Sequence, residues 1–226
     1  MPCELSPITW SILELLGQDD ASAGLEIGGG IALWHYSPHR TTNDIDAWWL
    51  DESENARDAI DRTMATVAVN YGLELSHRRQ PGYESWDLKK QGKAVFAFQV
   101  ARKSGRVEAP AKTTWGHLKM ESFPENLASK MNALVQRGAP RDILDVATVL
   151  KIGLASIREC WCLWKKKRPD VPTLEAQANI LKYLNALDAR RPLDSIADAH
   201  ERAKAQESRS SIRRLATLEM EDATGL

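Results

Sequence analysis

The sequence holds no run of apolar residues near the roughly 18 that a membrane span requires. Its start, MPCELSPITW, lacks the basic-then-apolar pattern of a secretion signal. A cytoplasmic protein with no membrane partner is expected. Cysteine is scarce: Cys3, Cys160 and Cys162 are an odd set that builds no disulfide framework. Cys160-x-Cys162 has a single intervening residue, shorter than the usual zinc-knuckle spacing, and no second Cys or His pair accompanies it. Small buried positions on a helix shared with Trp161 and Trp164 are the simpler account. A surplus of either charge is also missing, with 30 Lys+Arg against 31 Asp+Glu in 226 residues and a pI near 6.5. Near-neutrality excludes a dedicated basic module that coats nucleic acid through counterion release, and leaves room for a local basic face. The 8 tryptophans are dispersed without a fixed period, so no repeat architecture is expected. What remains, at 43% hydrophobic and 27% charged, is an ordinary globular composition with material for a sizeable core.

Apolar residues recur at helical spacing over residues 7–16. Residues 24–27 read as a short strand running into Gly28-Gly29-Gly30 and a helix-compatible stretch over 31–36. After a polar loop, residues 44–50 (DIDAWWL) read as a second strand, and Ser53 caps a helix that ends near Tyr71-Gly72. Residues 73–77, 85–89 and 93–101 look like strands, the last two joined by a turn at Lys90-Gln91-Gly92. Phe96, Phe98 and Val100 share one face there, with Ala97 and Gln99 on the other. A loop over 103–112 leads to a short extended piece over 115–120. Beyond it the pattern is helical, over 124–135, 140–152, 173–187 and 196–220. The prediction is an α/β (α+β) chain: a mixed-sheet core over residues 1–120 and a C-terminal helical domain over 121–226.

The stretch LEIGGGIALWHYSPHRTTNDID, residues 25–46, carries the chemistry. A glycine-rich turn that opens a helix lets backbone N–H groups approach phosphate oxygens, and the helix start adds partial positive charge. Asp44 and Asp46 alternate along one strand, so both side chains point to one face of the sheet. Two hard oxygen donors there suit Mg²⁺ (or Mn²⁺) that also binds nucleotide phosphates. Each feature alone is more often a flexible turn or a solvated strand edge.

Together, and in this order, they form the active-site layout of the nucleotidyltransferase superfamily. GGIALWHYSPHRTTNDID resembles the AbiEii/AbiGii-type toxin family of type IV toxin–antitoxin systems, with Gly29, Gly30, Arg40, Thr42, Asp44 and Asp46 at the matching positions. A second block, PENLASKMNALVQRGAPRDILDVATVL, resembles the same family at Lys130, Ala133, Leu134, Arg137, Arg141, Asp142 and Asp145. Lys130, Leu134 and Arg137 share one helical face, and Asp142 and Asp145 share a face of the next helix. On its own that pattern reads as a helix pair joined by ion pairs.

The resemblance implies a nucleotidyltransferase fold and Mg²⁺-dependent transfer of a nucleoside monophosphate from a nucleoside triphosphate (NTP) to an acceptor, tRNA or another RNA among them. It also implies a toxin–antitoxin or phage-defence setting with a separate antitoxin protein. Asp44 and Asp46 would hold the metal, with Gly29, Gly30, Arg40, Thr42, Arg141 and Asp145 at the nucleotide. Lys130 would contact phosphates, and Asp142 or Asp145 would orient or complete the site. One departure stands out. Many nucleotidyltransferases carry a third carboxylate on a later strand, and FAFQVA puts the neutral Gln99 at the expected place. Asp87 is the substitute if strand register brings it near. Two other readings stay open: a protein of this fold that binds nucleotide or a partner without turnover, and a small-molecule transferase of the antibiotic-modifying kind. His35 reads as a packing residue and His39 as a solvated one. The run Lys165-Lys166-Lys167-Arg168 is either an RNA-backbone grip or, more usually, a solvated helix end.

Overall fold

Ser6 accepts a hydrogen bond from the Thr9 amide (3.1 Å) and so starts helix α1, Pro7–Gln18. It is the first element of a computed structural model that describes residues 4–103 and 105–218. A 3-10 turn over Asp20–Gly24 leads into strand β1 (Leu25–Ile27), helix α2 (Gly29–Tyr36) and strand β2 (Asp44–Trp49). Helix α3 (Glu54–Tyr71) is capped by Ser53 and closed by Gly72 in the left-handed conformation. Strands β3 (Glu74–Gln80), β4 (Tyr83–Lys90) and β5 (Lys93–Arg102) follow as an antiparallel meander, and β6 (Ala111–Lys112) and β7 (Lys119–Met120) are brief. The strands make one mixed sheet in the order β3-β4-β5-β2-β1-β7-β6. β2 lies parallel to β5 and β1 parallel to β7, and the other pairs are antiparallel.

Period-two alternation divides this sheet into an apolar and a polar face. Ile45, Ala47, Trp49, Trp86, Leu88, Phe96, Phe98 and Val100 join Ile12, Leu13 and Leu16 of α1 and Ile60, Met64 and Val67 of α3 in one buried cluster. The apolar face expected at Phe96, Phe98 and Val100 is therefore the floor of the core. Asp44, Asp46, Trp48, Ser85, Asp87 and Gln99 occupy alternate positions and face the other way. The β3 strand extends past its expected end at residue 77, because it is the solvated edge strand and Arg78, Arg79 and Gln80 give no apolar alternation to read.

The chain divides into two compact units, Met1–Asn126 and Leu127–Leu226. The sheet belongs to the first. Helix α4 (Phe123–Gln136) leads into the second, which holds α5 (Pro140–Lys151), α6 (Ile157–Lys167), α7 (Thr173–Arg190) and α8 (Ala199–Thr217). The helix expected over 196–220 starts at Ala199, and residues 219 and 220 lie outside the described residues. No described helix is long and apolar enough to cross a membrane. Two residues of the basic run close the end of α6: Lys165 donates to the Pro169 and Val171 carbonyls (3.1 and 2.8 Å), and Arg168 pairs with Asp170 (3.0 Å). Lys167 donates to Ser129 Oγ (3.1 Å).

On α6, Cys160 is buried beside Trp161 and Trp164, whose rings meet edge to face at 5.4 Å. Burial pushes the Cys160 thiol up to about 12, whereas Cys162 is exposed. Cys3 lies outside the described residues. In a Cys3→Ser variant, a thiol reagent such as DTNB should therefore titrate Cys162 in the native protein and reach Cys160 only after denaturant is added. Rapid native reaction of both thiols would contradict the burial.

Candidate active site

The glycine turn is built where β1 hands over to α2. Gly28 donates its amide to the Asp46 carbonyl (2.8 Å), continuing the β1–β2 pairing past the end of the strand, and its carbonyl accepts from Ala32 (3.1 Å). Gly28 is also the N-cap of α2 and has no side chain with which to cap it. The first amides of the helix lack carbonyl partners one turn back, which is the standard condition for an anion seat. Gly29 has φ of +56°, and a β-carbon there would overlap the Asp46 carboxylate and lie 2.7 Å from the Asp46 Cβ. Glycine is required at 29 for both reasons. A β-carbon at Gly30 would come to 3.2 Å from Thr42 Oγ1 and 3.3 Å from Arg40 Nη2. Thr42 in turn donates its hydroxyl to Asp44, at both the backbone oxygen and Oδ1. The six residues of the first motif, Gly29, Gly30, Arg40, Thr42, Asp44 and Asp46, thus converge on one spot at the start of α2.

Strand register places the remaining carboxylate candidates. Asp46 is paired with Gln99 of β5, and Gln99 with Ser85 of β4. One step along, Asp44 is paired with Ala97 and Ala97 with Asp87. Asp87 is therefore two strands from Asp44, about 10 Å at the usual strand spacing, and is held by Ser85 Oγ (2.8 Å) and Arg78 (2.9 Å). The register does not bring it beside the Asp pair. Among the described residues no group of three or more His, Cys, Asp or Glu side chains is placed to hold a metal. The carboxylates of this site that could serve as metal donors are Asp44 and Asp46 of β2. Such a pair fits Mg²⁺, which keeps much of its shell for water and substrate phosphates and takes few ligands from protein.

Beneath the turn lies a network that sequence inspection does not find. The side chains of Glu26, Glu121 and Glu125 are fully buried, and Lys103 Nζ meets all three at 2.9, 3.0 and 3.1 Å. Arg106 adds two contacts to Glu26, each 2.8 Å. Glu121 also accepts from the Trp48 indole (2.9 Å) and from Asn126 Nδ2 (2.6 Å), and Asn126 Nδ2 donates as well to the Gly29 carbonyl (3.1 Å). Glu125 accepts from the Val107 and Glu108 amides. The available signal was Glu26, a charge between two buried apolar residues of a three-residue strand. Its partners are scattered along the chain in unremarked contexts.

The second motif forms ion pairs within the second unit. Lys130 Nζ lies 2.8 Å from Asp145, and Arg137 grips Asp142 through two bonds of 2.8 and 3.0 Å. Asp142 and Asp145 are fully buried, Lys130 is 8% exposed, and Arg141 stands on the exposed side of α5. The expected facing of a basic and an acidic helix stripe is present.

The sequence profile of the nucleotidyl transferase AbiEii toxins of type IV toxin–antitoxin systems matches residues 13–218. Among solved structures, a candidate nucleotidyltransferase from H. pylori superposes with a TM-score of 0.55 at 12% identity, over 92% of each chain. At that identity the likeness is one of fold. The Megavirus polyadenylate synthase gives a TM-score of 0.40 at 10% identity, covering 88% of this chain and 38% of that one. No curated protein matches the sequence.

Proposed function

This chain belongs to the AbiEii nucleotidyl transferase toxin family, and from that premise we propose that it transfers a nucleoside monophosphate from an NTP to an acceptor hydroxyl with the help of Mg²⁺. The acceptor class is RNA, with tRNA as the first candidate, and the setting is a cytoplasmic toxin–antitoxin or phage-defence pair with a separate antitoxin protein. The observation that carries the reading is the packing of the Asp46 carboxylate onto Gly29. It supports the reading because the side chains that would hold the metal and the amides that would meet phosphate then lie at one point.

In this reading the first amides of α2 donate to phosphate oxygens, and Arg40 adds a cation beside Gly30. Thr42 holds Asp44 in one orientation through its hydroxyl. Asp44 and Asp46 would hold Mg²⁺, which would supply neutralisation of the charge on the phosphoryl oxygens. A bond forms between the acceptor oxygen and the α-phosphorus, the bond to the β-phosphate oxygen breaks, pyrophosphate leaves, and the hydroxyl proton passes to solvent. Gln99 cannot serve as a base, so catalysis rests on positioning and charge neutralisation. The family resemblance assigns phosphate contact to Lys130, with Arg141 and Asp145 also at the nucleotide and Asp142 completing the site. Within the second unit the Lys130 ammonium pairs with Asp145 at 2.8 Å.

The test is incubation with each α-labelled NTP, Mg²⁺ and total RNA. Label should appear on RNA and vanish with chelator, and Lys130→Ala should raise the NTP KM by about tenfold, as loss of one charge-assisted contact does. Gln99 favours a second reading, binding without turnover, and tight NTP binding with no label on RNA or on small molecules would establish it. Label on a small molecule alone would point to the antibiotic-modifying class.

A further inference from the structure

Three consecutive glycines give the turn more backbone freedom than any other tripeptide would, yet a phosphate seat works only if its amides already point at the ligand. Gly28 is pinned by β2 and by the first turn of α2. The next carbonyl, Gly29 O, accepts from the side chain of Asn126 (3.1 Å). In a trans peptide unit the C=O and the following N–H point in opposite directions. Gly29 O also belongs to the backbone ladder of α2, so the Asn126 bond is a second hold on the direction in which the Gly30 amide donates.

Asn126 is itself held in one orientation. The same Nδ2 donates to Glu121 Oε2 (2.6 Å), and that carboxylate, which only accepts, is fixed by the Trp48 indole (2.9 Å) and Lys103 (3.0 Å). The Asn126 side chain is fully buried, and among the described residues its Oδ1 has no hydrogen-bond partner. A buried acceptor left unpaired is a cost to folding that an apolar residue of similar size would avoid. The contacts that this side chain makes are those of its NH₂ group.

We infer that Asn126 is a positioning residue for the nucleotide's phosphates: it sets the Gly30 amide, and the Glu121–Trp48–Lys103 assembly holds it in place. The inference rests on the nucleotidyltransferase reading for the identity of the ligand, and on the geometry of unit Met1–Asn126 for the clamp. It gives a role to a residue that lies within the second block but is not among the positions matched there.

Asn126→Leu and Asn126→Ala test it, with Glu121→Gln as a third variant that weakens the same clamp from the other end. Two measurements are made on folded protein. Amide ¹⁵N relaxation, in the absence of nucleotide, should show a lower order parameter at Gly30 in each variant. Titration with Mg–NTP and with the corresponding nucleoside should show about tenfold weaker triphosphate binding, the scale of one lost hydrogen bond to a charged group, with nucleoside binding unchanged. In turnover the loss should fall on KM more than on kcat. An unchanged Gly30 order parameter together with wild-type triphosphate affinity would overturn the inference. Equal weakening for nucleoside and triphosphate, tracking a lowered melting temperature, would reduce Asn126 to a structural residue and overturn it as well. If wild-type protein binds no triphosphate, the nucleotidyltransferase reading falls, and the relaxation result alone upholds or overturns the clamp.

Discussion

Replacing Asp46 by asparagine should lower the rate of nucleotide transfer by about a thousandfold, the upper range for deleting one group that stabilises charge in a transition state. Asn keeps the shape of a side chain packed against Gly29, so the turn that tolerates no β-carbon is undisturbed. Only the negative charge that recruits the cation is removed. Asp44→Asn should behave in the same way, since its Oδ1 still accepts from Thr42. Asp87→Asn is the control: it also faces the polar side of the sheet, but Ala97 separates it from Asp44, and it should leave the rate within about twofold, the scatter of distant surface changes. Single-turnover transfer of labelled nucleotide, with circular dichroism melts of each variant, makes the comparison. Transfer retained in both Asp44→Asn and Asp46→Asn would sink the assignment of the site.

Lys103→Met should cost about 3–5 kcal/mol of stability, the range seen when one partner is removed from a buried charge cluster. Lys103 is 7% exposed and faces three glutamates whose side chains are fully buried. Met fills much of the space, so the loss comes from carboxylates stranded without their shared cation, and only Arg106 remains beside Glu26. The figure measures the breaking of the cluster and not its worth against an apolar alternative. Urea denaturation should show the midpoint falling with the slope preserved. A change below about 1 kcal/mol, the level of an exposed pair, would mean that the cluster is solvated in solution. Because Glu121 links Lys103 to Asn126, the same variant should loosen the glycine turn before the protein unfolds.

The first motif was legible because it is local. Gly29, Gly30, Arg40, Thr42, Asp44 and Asp46 lie within one strand–helix–strand segment whose geometry follows from spacing alone, and the apolar face of β5 was readable from Phe96, Phe98 and Val100. The fate of Asp87 was not readable, because it depends on how β4 and β5 align, and the Leu88/Lys89 irregularity shifts that register. The Glu26, Lys103, Glu121 and Asn126 assembly was invisible for a related reason. Each residue is ordinary in its own stretch, and only parallel pairing of β1 with β7 brings residues near 26 together with those near 120. The ends of β3 were missed because an edge strand wetted on its open side need not alternate.

Gly29 and its anchor Asn126 are 97 positions apart, and this separation sets an order of events during synthesis. Contacts between nearby residues form early and cheaply, while long loops must close before distant ones are made. A growing chain therefore displays Asp44, Asp46 and the three glycines well before it possesses the side chain that anchors the Gly29 carbonyl. The Glu121 amide, bonded to the Ile27 carbonyl at 2.8 Å, closes the sheet at the same stroke that brings Asn126 into reach. A ribosome-bound fragment carrying the whole first motif therefore still lacks the contact inferred to set its turn.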